Sequence, residues 1–151
     1  MTNRLRLLLC LLTVAILVGI GLYSHAHHHS ERASYARLIQ RLNAQLPANL
    51  DGETESDSVS LAWSSREIRY LYTLVHYNAS EINAKQFAPL AYQEHLRTLC
   101  EQNRAGLESA IHAGLKFRHN YVGADGKPIA SIVVDPRRCL GLAPFTSVSS
   151  H

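Results

Sequence analysis

The sequence predicts an α+β domain carried behind an N-terminal membrane segment. An apolar run at residues 7–23 follows Arg4 and Arg6 directly. Residues 59–77 carry the two-residue alternation of strands, while 86–103 repeat apolar residues at the three- and four-residue steps of a helix. Asp125-Gly126 then separates two β-rich runs, a strong local signal for a hairpin.

The N-terminal run, LLLCLLTVAILVGIGLY, holds no charged residue. At about seventeen residues it lies near the lower limit of the roughly 17–25 that cross a hydrocarbon core as a helix. It is also longer than the ~7–15 apolar residues of a cleavable signal peptide. Ser24-His25-Ala26 nevertheless offers small residues for a cut near Ala26, so a retained anchor and a cleaved signal both stand. In either case Arg4 and Arg6 stay inside and the C-terminal part is exported. The organisation expected is a signal anchor at 1–24 (or a signal peptide to 26), then a juxtamembrane helical stalk at 25–50. A periplasmic α+β domain at 56–140 and a flexible tail at 141–151 follow.

Ser30 is a candidate N-cap, and Tyr35, Leu38, Ile39, Leu42 and Leu46 follow at helical spacing up to Pro47. Residues 48–58 are polar and acidic (Asp51, Glu53, Glu55, Asp57) and read as a solvated linker. They lack the D-x-[DN]-x-[DN]-G pattern of a calcium loop. Val59, Leu61 and Trp63 alternate as one strand face. Residues 66–77 form a longer strand, with Ile68, Tyr70, Tyr72 and Leu74 on one face and Arg69, Leu71, Thr73 and Val75 on the other. Ser64-Ser65 suits a tight turn between them.

Ser80 and Asn83 open a helical stretch in which Phe87, Leu90, Ala91, His95, Leu96 and Leu99 line an apolar side over 86–103, with Pro89 in the first turn. A shorter helix at 104–112 ends at Gly114. Strands at 115–122 and 128–134 flank the Asp-Gly turn. The expected order is α-β-β-α-α-β-β, an antiparallel sheet of two hairpins packed against helices.

Cys10 lies in the apolar run, which leaves Cys100 and Cys139 for the exported part. A pair of cysteines in an oxidising compartment favours a disulfide, which would clamp helix against sheet. The rival is a thiol nucleophile, Cys100 paired with one of His76, His95, His112 and His119. In order, Cys100, Gly114, Phe117, Tyr121, Asp125-Gly126, Ile132 and Cys139 resemble the C-terminal region of small exported bacterial envelope proteins of unknown function. The resemblance covers about 40 of the 151 residues. It implies the Cys100–Cys139 bridge and a periplasmic location, and it carries over no catalytic residue.

The formal charge is +3, and +1 once Arg4 and Arg6 are set aside, which argues against a dedicated nucleic-acid binder. Signatures for acyl transfer, zinc peptidases, phosphate loops and dinucleotides are absent. Neither an enzyme nor a cofactor is expected. His25, His27, His28 and His29 form a histidine tract with ligand chemistry for zinc, copper or nickel, at spacings that do not fix a geometry. Trp63, Arg69, Tyr70 and Tyr72 are the candidate partner-binding residues, because tyrosine, tryptophan and arginine concentrate in interface hot spots. The expectation is a single-pass inner-membrane protein, held through residues 7–23 or released after cleavage near Ala26. Its role is binding or assembly with another envelope protein, of the immunity or inhibitor type or of the secretion or pilus accessory type. The alternatives are a metal-binding protein using the histidine tract and a secreted hydrolase.

Overall fold

Strand parity along residues 67–74 organises the domain. In the computed structural model, which describes residues 30–102 and 104–141, Ile68, Tyr72 and Leu74 are buried and Arg69 between them is exposed. The apolar run at 7–23, the histidines at 25–29 and the tail from 142 lie outside the described residues, as does the membrane helix expected there. Among the described residues no helix is long and apolar enough to cross a membrane. The chain divides into two compact units, Met1–Arg37 and Leu38–His151. Of the first, the described residues 30–37 are helical.

Helix α1 (residues 30–43) ends inside the second unit, where Ile39 is buried. Strands β1 (Ala48–Asn49), β2 (Thr54–Ala62) and β3 (Glu67–Leu74) follow, then helices α2 (Ala84–Gln102) and α3 (Arg104–His112), then β4 (Lys116–Gly123) and β5 (Pro128–Val134). The strands form one sheet in the order β1-β2-β3-β4-β5. β3 pairs with β4 in parallel, from Glu67↔Lys116 to Leu74↔Gly123, and the other pairs are antiparallel.

The fold is thus α+β, but its sheet is mixed rather than antiparallel, and its order is α-β-β-β-α-α-β-β. The physical reason is the length of the connection. A parallel pair needs a crossover of a dozen or more residues, usually helical. α2 and α3 supply it and bring the chain back to the start of β3. Both expected hairpins form, as β2–β3 and β4–β5, but an order of elements alone shows neither that β3 and β4 join them in parallel nor that β1 adds a further antiparallel pair with β2.

Residues 48–58 are likewise more structured than their composition suggests. Asp51 Oδ1 accepts the N–H groups of Glu53 and Thr54 at 2.8 and 2.7 Å, and Leu50 N–H donates to Thr54 O at 2.9 Å. That Asx-type turn joins β1 to β2. Across the sheet, Thr54 pairs with Leu74, and the register slips between Ser56 and Ser58. Asp57 accepts the Thr73 hydroxyl at 2.8 Å. Strand pairing overrides the weak β-propensity of the acidic residues here.

The turn from β2 to β3 is a 3-10 turn, Trp63–Ser65, closed by Arg66 at φ 54°, a left-handed conformation uncommon outside glycine. Its guanidinium sits 4.4 Å from the Trp63 ring centroid and donates to Ala113 O at 3.2 Å, tying the turn to the end of α3. Asn78 and Glu81 form a capping box around the 3-10 turn Ala79–Glu81. α2 therefore starts at Ala84, and Pro89 falls in its second turn instead of its first. At the end of α3, Gly114 takes φ 66°, with Gly114 N–H to Ile111 O and Leu115 N–H to Ala110 O, a Schellman arrangement.

α2 packs across the inner face of the sheet, chiefly on β5. Its Phe87, Ala88, Ala91, Tyr92, Leu96 and Leu99 lie against a buried cluster of Tyr72, Leu74, Tyr121, Ile129, Ile132 and Val134. Cys100 near the end of α2 is bonded to Cys139 in the 3-10 turn Pro136–Gly141, with Cα atoms 5.3 Å apart. The bridge fixes α2 to the segment that leaves β5.

Candidate functional site

Because side chains alternate along a strand, the sheet has two chemically different faces, and the four residues singled out as partner-binding do not share one. Tyr70 and Tyr72 point inward with Ile68 and Leu74, and Tyr72 is only 6% exposed. In this conformation Tyr72 offers almost no surface, while Tyr70 is half-buried on the same inward face. Arg69 is on the opposite face, and Trp63 is half-buried in the β2–β3 turn under Arg66.

The outer face carries a connected polar network. Glu67 Oε1 accepts Arg118 Nη2 at 2.7 Å, and Glu67 Oε2 accepts Arg118 Nε at 3.1 Å and Arg69 Nε at 2.9 Å. Arg118 Nη1 donates to Ser131 Oγ at 3.0 Å, Ser131 Oγ donates to Asn120 Oδ1 at 2.8 Å, and Asn120 Nδ2 reaches Tyr70 O at 3.3 Å. The network crosses β3, β4 and β5. Bonding from Arg118, with a smaller contribution from Arg69, holds the Glu67 carboxyl down at about 2, against the cost of its burial. Two guanidinium groups face one carboxylate, so the patch keeps a positive charge. The Arg69 side chain is 45% exposed and that of Arg118 32%, so Arg69 is the more accessible cation of the two.

The inner face holds a layer of rings between α2 and strands β3 and β4. His95 of α2 and His119 of β4 stack with centroids 3.6 Å apart and planes 14° from parallel. His95 Nε2 is hydrogen-bonded to Tyr121 Oη, and His119 Nδ1 lies 3.2 Å from Tyr72 Oη. Tyr70 stacks with His119 at 5.1 Å, and Phe87 meets Tyr121 edge-on at 4.9 Å. Burial pushes His119 down to about 3, with His95 adding to the effect, and burial lowers His95 as well. The same burial raises the Tyr70, Tyr72 and Tyr121 hydroxyls, Tyr121 to about 12. These groups are neutral at physiological pH. The layer was half legible in the sequence: His95 falls on the apolar side of its helix, and Phe117, His119 and Tyr121 alternate on one strand face. What was not legible is that the helix and strand bring the two histidines together.

The chemistry available is narrow. Cys100 and Cys139 are bonded to each other, so neither serves as a thiol nucleophile. Stacked imidazoles turn their faces to each other, and their nitrogens do not converge on a common point. Among the described residues no group of three or more His, Cys, Asp or Glu side chains is placed to hold a metal ion. The tract His25–His29 lies outside them. Among the described residues, too, no buried side-chain nitrogen or oxygen lacks a hydrogen-bond partner.

No family model matches the chain, and no curated protein matches it either. Solved structures share its fold. A candidate secreted protein from Pseudomonas aeruginosa superposes with a TM-score of 0.58 at 10% identity, over 74% of this chain and 94% of the other. The type II secretion system pilotin AspS from Vibrio cholerae gives 0.52 at 15% identity, over 74% and 94%. The type II secretion system pilotin EpsS from Vibrio vulnificus gives 0.51 at 19% identity, over 74% and 93%. At these identities the likeness establishes the fold.

Proposed function

We propose that this chain is a non-enzymatic accessory protein of an envelope secretion apparatus, acting by binding a component of that apparatus. The observation that carries the reading is the fold. A five-stranded mixed sheet crossed by helices matches two type II secretion pilotins over nearly their whole length. The paired cysteines and the export signal at residues 7–23 agree with work in the periplasm, whether the segment is retained as an anchor or cleaved near Ala26. The secretion type of accessory role is favoured over the immunity or inhibitor type by the same likeness. Of the four residues with interface character, Arg69 is the exposed one, Trp63 and Tyr70 are half-buried, and Tyr72 is buried. The positive patch around Arg69 and Arg118 suits an acidic segment on the partner.

Crosslinking in cells followed by co-purification through a C-terminal tag tests this. Stoichiometric recovery of a secretion component, reduced by Arg69→Glu, is the expected result. Recovery of the chain without any envelope partner would refute the reading, and an unaffected yield with Arg69→Glu would refute the surface.

A further inference from the structure

The ring layer beneath α2 places one histidine on each side of a helix–sheet interface. His95 belongs to the helix and His119 to the interior strand β4, and the two rings stack at 3.6 Å. Every neighbouring titratable group is a poor partner for an added charge. From β3 come Tyr70 and Tyr72, from β4 Tyr121, and β5 contributes only apolar and serine side chains. On α2, Tyr92 is engaged by Arg138, and Glu94 is engaged by Arg97. Glu94 favours a charged His95, but burial outweighs it. Asp51, in the β1–β2 turn, acts on Tyr121 and not on the histidines.

The elements that carry the two imidazoles are not equally secured. β4 is hydrogen-bonded on both sides, to β3 and to β5. α2 is joined to the sheet by side chains and, five residues beyond His95, by the Cys100–Cys139 bond. The part of α2 before His95 carries no disulfide and is joined to β3 only through the connecting residues 75–83. We propose that the stacked His95–His119 pair is an acid-released latch: protonation in mildly acidic surroundings frees the N-terminal part of α2 from the sheet while the disulfide retains its C-terminal end. Release separates the two imidazoles, hydrates both, and uncovers the aromatic strand face of Tyr70, Tyr72, Phe117 and Tyr121.

The sign follows from linkage. A histidine with a folded pKa below its open-state value near 6.5 stabilises the closed form fully above pH 6.5 and loses that contribution as pH falls toward the folded value, about 3 for His119. Between pH 7.5 and 5, one such histidine raises the opening constant roughly thirtyfold. Glu67 does not contribute in this window, because its carboxyl is depressed to about 2.

Hydrogen exchange of the full chain in detergent, disulfide intact, at pH 7.5 and 5.0 decides the matter once rates are corrected for intrinsic pH dependence. The expected result is a tenfold or greater loss of protection confined to residues 84–95, with β3 and β4 unchanged. Equal protection of α2 at both pH values would overturn the latch. So would a parallel loss in helix and sheet, which would mean general acid weakening. In the double variant His95→Gln/His119→Phe the pH ratio for α2 should fall to about one; a ratio still near the wild-type value would equally overturn it. If that variant fails to fold, the wild-type comparison decides by itself.

Discussion

The side-chain amide of Asn43 makes both backbone hydrogen bonds of Val59. Its Nδ2 donates to Val59 O at 2.7 Å and its Oδ1 accepts Val59 N–H at 2.8 Å. β1 covers β2 only opposite Glu55 and Ser56, so this amide stands in for a strand residue farther along the edge. It also fixes the last turn of α1 to the sheet.

Replacing Asn43 should therefore cost more than an exposed helical position normally does. Asn43→Ala leaves the two Val59 backbone groups without their partner, and a loss of about 1–3 kcal/mol is expected in denaturant unfolding. Asn43→Asp keeps an acceptor for the Val59 N–H but loses the donor to its carbonyl. A loss below about 0.5 kcal/mol for Asn43→Ala would show that the edge does not depend on this amide.

Gly123 ends β4 where the strand passes close to the Asn78–Ala79 backbone. A Cβ there would press on Ala79 N and on Asn78 C, neither of which belongs to a side chain that can swing away. The approach is held by Ala124 N–H to Tyr77 O at 2.8 Å and Ala79 N–H to Asp125 Oδ1 at 3.1 Å. Gly123→Ala should lower stability by roughly 1–3 kcal/mol. Gly52, with open space around it, serves as the control. Equal melting temperatures for the two alanine variants would contradict this.

The Cys100–Cys139 bond closes a loop of 39 residues in sequence separation. In the chain-entropy model it contributes roughly 4 kcal/mol. Cys100→Ser and Cys139→Ser should each lose about this much, and a reducing agent should lower the wild type to the same level without affecting the variants. Unequal losses between the two serine variants would show a role for one sulfur beyond the bond.

Glu67 lies nearly buried between Arg69 and Arg118. Its carboxyl is held well below the ordinary range, so it stabilises the fold above pH ~4.5, and that contribution fades as pH falls toward about 2. Glu67→Gln should cost about 1–3 kcal/mol at pH 7 and flatten the stability profile between pH 4.5 and 2. An unchanged acid profile would mean that the ion pair does not report on folding.

The alternation of Ile68, Tyr70, Tyr72 and Leu74, the Asp125-Gly126 turn and the spans of α3 and β5 were readable because each rests on contacts within a few residues. Period, turn chemistry and a glycine at φ > 0 are local properties of the chain. The order of helix and strand segments from residue 84 onward was readable for the same reason.

Tertiary structure alone decided the rest. The parallel pairing of β3 with β4 depends on where the α2–α3 crossover delivers the chain, and both directions satisfy the same pattern of apolar residues. The strand character of the acidic stretch 54–57 comes from partners in β3, about twenty residues away. Tyr70 and Tyr72 carry the composition of an interface but face inward on the sheet, with Tyr72 buried, because parity gives a strand two faces without saying which one is covered. His95 and His119 are far apart in sequence, and their stacking exists only because one helix crosses one strand at that point. Sequence by itself determined the helix and strand segments from residue 84 onward and the alternation along β3; packing made strands of the acidic stretch and chose which sides meet, since that choice depends on contacts between residues that no local period relates.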